Sequence, residues 1–139
     1  MTHLAMVSTE LALRLILPGG TSLRIVAGLR YEAADPWAVR VAFHTGSGGD
    51  GTVEWVFARQ LLTDGVSSAC GQGDVRVWPA LHGRDRVVNL AMASPSGSAL
   101  FEMDRNDLVG YLEQTYRVVP TGAESEVVDL DAEIALLRA

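Results

Sequence analysis

The chain has 139 residues and a mass of 14.9 kDa, with 48% hydrophobic residues, 20% charged residues and a mean hydropathy of +0.18. That length suits one domain with a core that needs no metal or disulfide, and the composition excludes a disordered or low-complexity protein. The formal net charge of −6 sits in the last third: residues 101–139 carry nine acidic and three basic residues, while residues 1–100 balance eight against eight.

In chain order, residues 1–9 show no pattern and are expected to fray. From Glu10 to Leu17 the period is two, with Leu11, Leu13, Leu15 and Leu17 on one face and Glu10 and Arg14 opposite, as a half-buried strand requires. Pro18-Gly19-Gly20-Thr21 reads as a turn into a second strand, where Leu23, Ile25, Ala27, Leu29 and Tyr31 oppose Arg24 and Arg30. Asp35-Pro36 breaks the ladder because proline has no N–H to give. Trp37, Val39, Val41 and Phe43 then alternate with Arg40, and the glycine-rich loop from His44 to Gly51, through its Asp50-Gly51 step, turns the chain back. Val53, Trp55 and Phe57 oppose Glu54 in the next strand and are expected in the core.

Residues 58–64 form a short helix stopped by Gly65, and strands follow at 75–79, 86–93 and 98–103, the last two joined at Ser94-Pro95-Ser96-Gly97. The period changes at Asp104, the expected N-cap of a helix with Asp107 in its first turn. Its stripe is Leu108, Tyr111, Leu112, Thr115 and Val119, and Pro120 and Gly122 end it. A second stripe, Val127, Leu130, Ile134 and Leu137, makes 125–139 an acidic C-terminal helix. The fold class is α+β: one domain, 1–139, an antiparallel sheet or open barrel of about seven strands with one short helix and two C-terminal helices.

Side-chain chemistry is sparse. His3, His44 and His82 have no metal-ligand spacing, so no metal and no cofactor are expected. Gly71-Gln72-Gly73 leads into a strand and not into the helix N-terminus a phosphate loop needs, so it is read as a turn. A Cys70 nucleophile served by His44 or His82 has no local support, and the chain is read as non-enzymatic. Arg14, Arg24, Arg40 and Arg76 fall on the polar sides of strands, with Trp78 beside Arg76, which would suit a whirly-like single-stranded nucleic-acid-binding module. The balanced charge of residues 1–100 argues against it, because neutralising phosphates needs net positive charge. Exposed aromatic and arginine residues with an acidic amphipathic tail fit protein contacts better.

No apolar run approaches the ~18 residues of a membrane helix, no basic n-region precedes an apolar h-region, and the single Cys70 cannot form an internal disulfide. A cytoplasmic protein is expected. All eleven basic residues are arginine, which reads as the codon bias of a GC-rich genome.

Val53-Glu54-Trp55-Val56-Phe57-Ala58-Arg59-Gln60-Leu61-Leu62, Gly73-Asp74-Val75-Arg76-Val77-Trp78-Pro79 and Ser94-Pro95-Ser96-Gly97 followed by Ala99-Leu100-Phe101-Glu102 resemble the SsgA-like family of sporulation and cell division proteins. Ala34-Asp35-Pro36-Trp37-Ala38-Val39-Arg40 and Val119-Pro120-Thr121-Gly122-Ala123-Glu124 also match, so the likeness runs from about Leu11 to Glu124 and is strongest to the SsgB-type branch. The resemblance implies an actinomycete source, a whirly-like fold and a homotrimer. It also implies a non-enzymatic role at division septa, marking septum sites and recruiting FtsZ and promoting its polymerisation. An SsgA-type paralogue is then a partner, no nucleic acid is expected, and any membrane contact is indirect, through a partner. The family offers no catalytic motif to carry over. The expected partner contacts are residues read as exposed: Arg59 and Gln60 on the short helix, Arg76, Trp78 and Glu124. On that reading Glu124→Lys and Arg76→Glu each weaken partner binding and leave the fold intact.

Overall fold

The computed structural model describes residues 5–44 and 51–126; His3, Asp50 and the stripe from Val127 to Leu137 lie outside the described residues. Eight strands and two helices follow in order: β1 (Met6–Ile16), β2 (Ser22–Glu32), β3 (Ala38–His44), β4 (Thr52–Ala58), α1 (Arg59–Gly65), β5 (Cys70–Gln72), β6 (Val75–His82), β7 (Asp85–Ser94), β8 (Gly97–Asp104) and α2 (Arg105–Val118). All strand pairs are antiparallel, in the order β4-β3-β2-β1-β8-β7-β6-β5. Two four-stranded meanders are thus joined along β1 and β8, with α1 leading from one outer strand, β4, towards the other, β5.

The sheet is curled. In a flat sheet β3 and β8, three places apart, would be ~14 Å from each other at ~4.8 Å per strand. The rings of Phe43 on β3 and Phe101 on β8 instead stack with centroids 4.4 Å apart. Their contact closes the concave side into a half-barrel. Leu13, Ala27, Tyr31, Val39, Phe57, Val77 and Leu90 fill that side, and Leu108, Tyr111 and Leu112 of α2 cover it. The α2 stripe is the one its spacing predicts, and Asp104 caps the helix by accepting the Asp107 N–H at 3.0 Å.

Three expectations are corrected. The described residues hold eight strands, not about seven, because β5 is only three residues long and two of the three are Gly71 and Gln72, with no alternation to mark it. Residues 6–9 are not frayed: they pair in register with residues 29–32 of β2, and the Tyr111 hydroxyl donates to the Val7 carbonyl at 2.9 Å. Val53, expected in the core, is 48% exposed, and Leu23 and Trp37, on the apolar sides of their predicted strands, are 53% and 52% exposed. Val53 lies on an outer strand with a neighbour on one side only, and Leu23 precedes Val26, where β3 begins to pair with β2. Trp37 stands in the turn before β3, its carbonyl accepting the Arg59 N–H at 2.8 Å.

Candidate partner-binding site

The five residues expected to meet a partner fall into separate places. Arg59, the first residue of α1, is 1% exposed, and Glu124 is 6% exposed. Both were expected on the surface, and the structure corrects this by pairing them: Arg59 Nη2 lies 3.3 Å from Glu124 Oε2. Arg59 Nη1 donates to the carbonyls of Val119 at 2.9 Å and Thr115 at 3.2 Å, the end of α2, where unsatisfied carbonyls attract a cation. The guanidinium also lies over the rings of Tyr116 at 3.9 Å and Tyr31 at 4.8 Å. Glu124 Oε1 accepts the Gly122 N–H at 2.6 Å.

This buried cluster ties β2, α1, α2 and the segment after α2 together. Backbone N–H groups of Glu124 and Gly122, together with the Arg59 guanidinium, hold the Glu124 carboxyl below its ordinary range against the opposing effect of burial. Burial pushes the Tyr31 phenol up to about 12, with Arg59 pulling the other way. The charge is therefore used inside the molecule. Arg59 and Glu124 offer a partner no surface, and Glu124→Lys would put a second cation beside a buried guanidinium.

Gln60, Arg76 and Trp78 remain accessible. Gln60 is exposed and donates to Asp64 at 2.8 Å, one helical turn on. Arg76 is exposed and lies 5.8 Å over the half-buried Trp78 ring. Gly65 of α1 packs on Val77, which points to the concave side. By alternation Arg76 and Trp78 point to the convex side, so Gln60 shares no face with them.

Pattern reading missed the apolar side chains of β4. Among the described residues this strand ends the sheet, so one row of its backbone groups has no described strand beside it, and Val53 and Val56 are both about half exposed. Beside Val53 the mouth of the half-barrel opens into a hollow of about 310 Å³, bordered by Leu15, Phe43, Trp55, Met92 and Phe101. An unpaired strand edge next to an apolar hollow is a surface that accepts another chain. The available signal was that Val56 interrupts the polar side of an otherwise alternating strand.

The arginines of the nucleic-acid reading, Arg14, Arg24, Arg40 and Arg76, do share the convex face: Arg14 pairs across strands with Arg24, and Arg40 with Arg30. Carboxylates already hold two of the four, Arg14 and Arg40, and the neighbouring Arg30 as well. Arg14 meets Glu102 at 3.5 Å, Arg30 meets Glu32 at 3.4 Å, and Arg40 meets Asp35 at 3.3 Å and Glu54 at 3.8 Å. Phosphates would have to displace these. The histidines are engaged too. His82 Nε2 lies 2.7 Å from Arg14 and its Nδ1 3.1 Å from Glu102, and His44 Nδ1 lies 3.1 Å from the Thr52 hydroxyl.

The Cys70 thiol donates to the Leu61 carbonyl at 3.3 Å, and burial, then Asp64, raises its pKa, the reverse of what a nucleophile needs. Among the described residues no group of three or more His, Cys, Asp or Glu could hold a metal ion, and no helix is long and apolar enough to cross a membrane.

Comparison with known proteins gives one answer. The family described as Streptomyces sporulation and cell division protein, SsgA, matches residues 25–124. The sporulation-specific cell division protein SsgB of Frankia casuarinae is 53% identical over 131 residues, covering 94% of this chain and 90% of that one. SsgB of Streptomyces coelicolor is 47% identical and covers 96% of both. Among solved structures, the SsgA-like sporulation-specific cell division protein of Thermobifida fusca superposes with a TM-score of 0.89 at 44% identity, over 97% of each chain. A structure of SsgB, described with mutations that correlate to longitudinal cell division during sporulation of S. coelicolor, superposes at 0.86 with 46% identity, over 91% of this chain and 99% of that one.

Proposed function

Because the chain belongs to the SsgA family of sporulation and cell division proteins, we propose that it serves division as a non-enzymatic adaptor that marks future septum sites, recruits FtsZ and promotes its polymerisation. The observation that carries this reading is the extent of the relatedness: it runs through both meanders and α2 to proteins named for sporulation-specific cell division.

The surface supports an adaptor. Apolar Trp37, Val53 and Val56 and the Arg76–Trp78 pair stand in solvent, while the strongest charge pair, Arg59–Glu124, is spent on holding the fold. In this reading the protein works as a homotrimer in the cytoplasm at division septa. Three copies of a weak contact on a polymer of repeated sites gain avidity without any single tight interface. An SsgA-type paralogue helps to localise it, and a further partner links the complex to the membrane.

The test is co-sedimentation with FtsZ polymers from the same organism, beside a titration with a fluorescent single-stranded oligonucleotide. Pelleting with longer or bundled filaments, weakened by Arg76→Glu and Trp78→Ala at unchanged melting temperature, is the expected result. Oligonucleotide binding without pelleting would replace this reading with the nucleic-acid one.

A further inference from the structure

Leu81 is the most exposed large apolar side chain among the described residues, at 70%. It stands near the tip of the β6–β7 hairpin, directly across from Arg86, and Pro79 lies two residues back, across from Val88. By the alternation that buries Val77 and Val88, the side chains of Pro79, Leu81 and Arg86 share the concave side of the sheet. The helices no longer cover that side here. A groove of about 430 Å³ opens between the hairpin, Val66 after α1 and Arg105 at the start of α2.

The groove joins apolar surface to positive charge. Arg86 and Arg105 border it, and among the described residues no carboxylate does. Arg84 stands exposed in the adjoining hairpin turn. Among the described residues these three arginines have neither a hydrogen bond nor an ion pair. Arg14, Arg30 and Arg40 of the convex face behave otherwise, each meeting a carboxylate. The carboxylates nearest in sequence are used or directed elsewhere: Asp104 caps α2, Asp85 borders the hollow of His82, and Asp107 borders one against β1. The positive end of the α2 dipole adds to the same field. In a chain of net charge −6, the groove is a place where an acidic segment is attracted while the molecule as a whole repels it.

We propose that this groove docks an acidic segment of a partner protein, with one bulky aliphatic side chain seated against Leu81 and Pro79 and flanking carboxylates on Arg86 and Arg105. Such a segment uses both halves of the site. The apolar contact supplies affinity, and the charges set approach and orientation, with the arginine stems adding apolar surface of their own. A nucleic-acid strand would use only the charge, because no aromatic ring lines the groove for a base to stack on. The site lies on the opposite face from the Arg76–Trp78 pair. It goes beyond the adaptor reading and stands whichever polymer that adaptor meets.

The test is fluorescence anisotropy of a short labelled peptide of glutamate, aspartate and leucine, titrated with the full chain and mapped by amide chemical shifts. Binding is expected, with shifts gathered at residues 79–87 and at Arg105. Arg86→Glu, Arg105→Glu and Leu81→Ser should each weaken it by about tenfold at unchanged melting temperature, as should serine in place of leucine in the peptide. Arg86→Glu should also gain affinity for a peptide carrying lysine at the acidic positions, a reversal that loss of folding cannot produce. No binding by the native chain, or shifts centred elsewhere, would overturn the proposal. Equal binding of the serine peptide would reduce the site to charge alone and overturn it too. Displacement of the leucine peptide by a single-stranded oligonucleotide of matched charge would replace the partner segment with nucleic acid. Shifts of the same residues on raising protein concentration without peptide would make a second copy the occupant. The titration contains no FtsZ, so its failure leaves the adaptor reading standing, and failed co-sedimentation leaves this one.

Discussion

The guanidinium of Arg59 and the carboxylate of Glu124, 65 positions apart in the chain, meet 3.3 Å apart where neither side chain reaches solvent. Removing one member of such a pair strands the other without water, so Arg59→Met should destabilise the fold by about 3–5 kcal/mol. Glu124→Lys should do at least as much damage. Arg59→Met combined with Glu124→Leu should recover part of the loss, but not all, because the Thr115 and Val119 carbonyls still lose their donor. Urea unfolding of the three variants measures this. A loss below about 1 kcal/mol for Arg59→Met would place the pair in the class of exposed ion pairs.

The same carboxylate gives the fold an acid limit. Its folded pKa lies below the unfolded value of 4.5, so its contribution is complete above that value and is lost as pH falls towards the folded one. Stability of the native chain should hold above about pH 5 and decline below. Glu124→Gln, less stable at pH 7, should decline less steeply over the same range. Thermal melts of both proteins from pH 7 to pH 3 give the comparison, and parallel curves would assign the acid sensitivity to other groups.

Much of this architecture was legible because it is local. Leu108 to Val119 announce α2 by spacing, Asp104 announces its cap, and Ser94 to Gly97 the β7–β8 turn. Arg59 was not legible. An arginine opening a helix reads as solvated, and only the return of the chain at residue 124 supplies the anion that lets it be buried. Val53 failed as a core residue for a related reason: alternation tells which face a residue takes, not whether another element covers that face. Of the residues expected to meet a partner, Gln60, Arg76 and Trp78 are accessible and Arg59 and Glu124 are not. Whether a strand ends the sheet is decided by strand order, which no pattern within β4 encodes.

Gly65 lets α1 approach β6: a Cβ built there would overlap the Val77 side chain. Gly65→Ala should therefore cost about 1–3 kcal/mol through overpacking, despite alanine's better helix propensity. Val77→Ala should be destabilising alone yet partly relieve Gly65→Ala, a coupling that a double-mutant cycle in urea reads directly. Additive losses would mean that α1 shifts to admit the methyl group.

Cys70 should be chemically quiet. Its thiol donates to the Leu61 carbonyl, and burial disfavours the thiolate that alkylating agents need. Reaction with iodoacetamide at pH 7.5 should be at least tenfold slower than for free cysteine, and Cys70→Ser should leave FtsZ co-sedimentation unchanged. A fast-reacting thiol whose modification abolished binding would reopen the reading of Cys70 as a working residue.

On the homotrimer reading, the edge of β4 is where assembly should be most easily broken. Proteins protect free strand edges with charge, proline or a covering segment. Here Glu54 meets Arg40 across the β3–β4 pair, and Val53 and Val56 are left about half exposed on opposite faces of the strand. If copies associate through this edge, lysine at either position places a hydrated ammonium in the contact without touching the buried Phe57 that anchors β4. Sedimentation should then show the homotrimer mass for the native chain and the monomer mass for Val56→Lys, with matching melting temperatures at low concentration. A monomer that also stopped pelleting with FtsZ polymers would tie the adaptor's action to its multivalency. An unchanged mass would move the interface to another surface, with the Arg76–Trp78 face as the next to substitute.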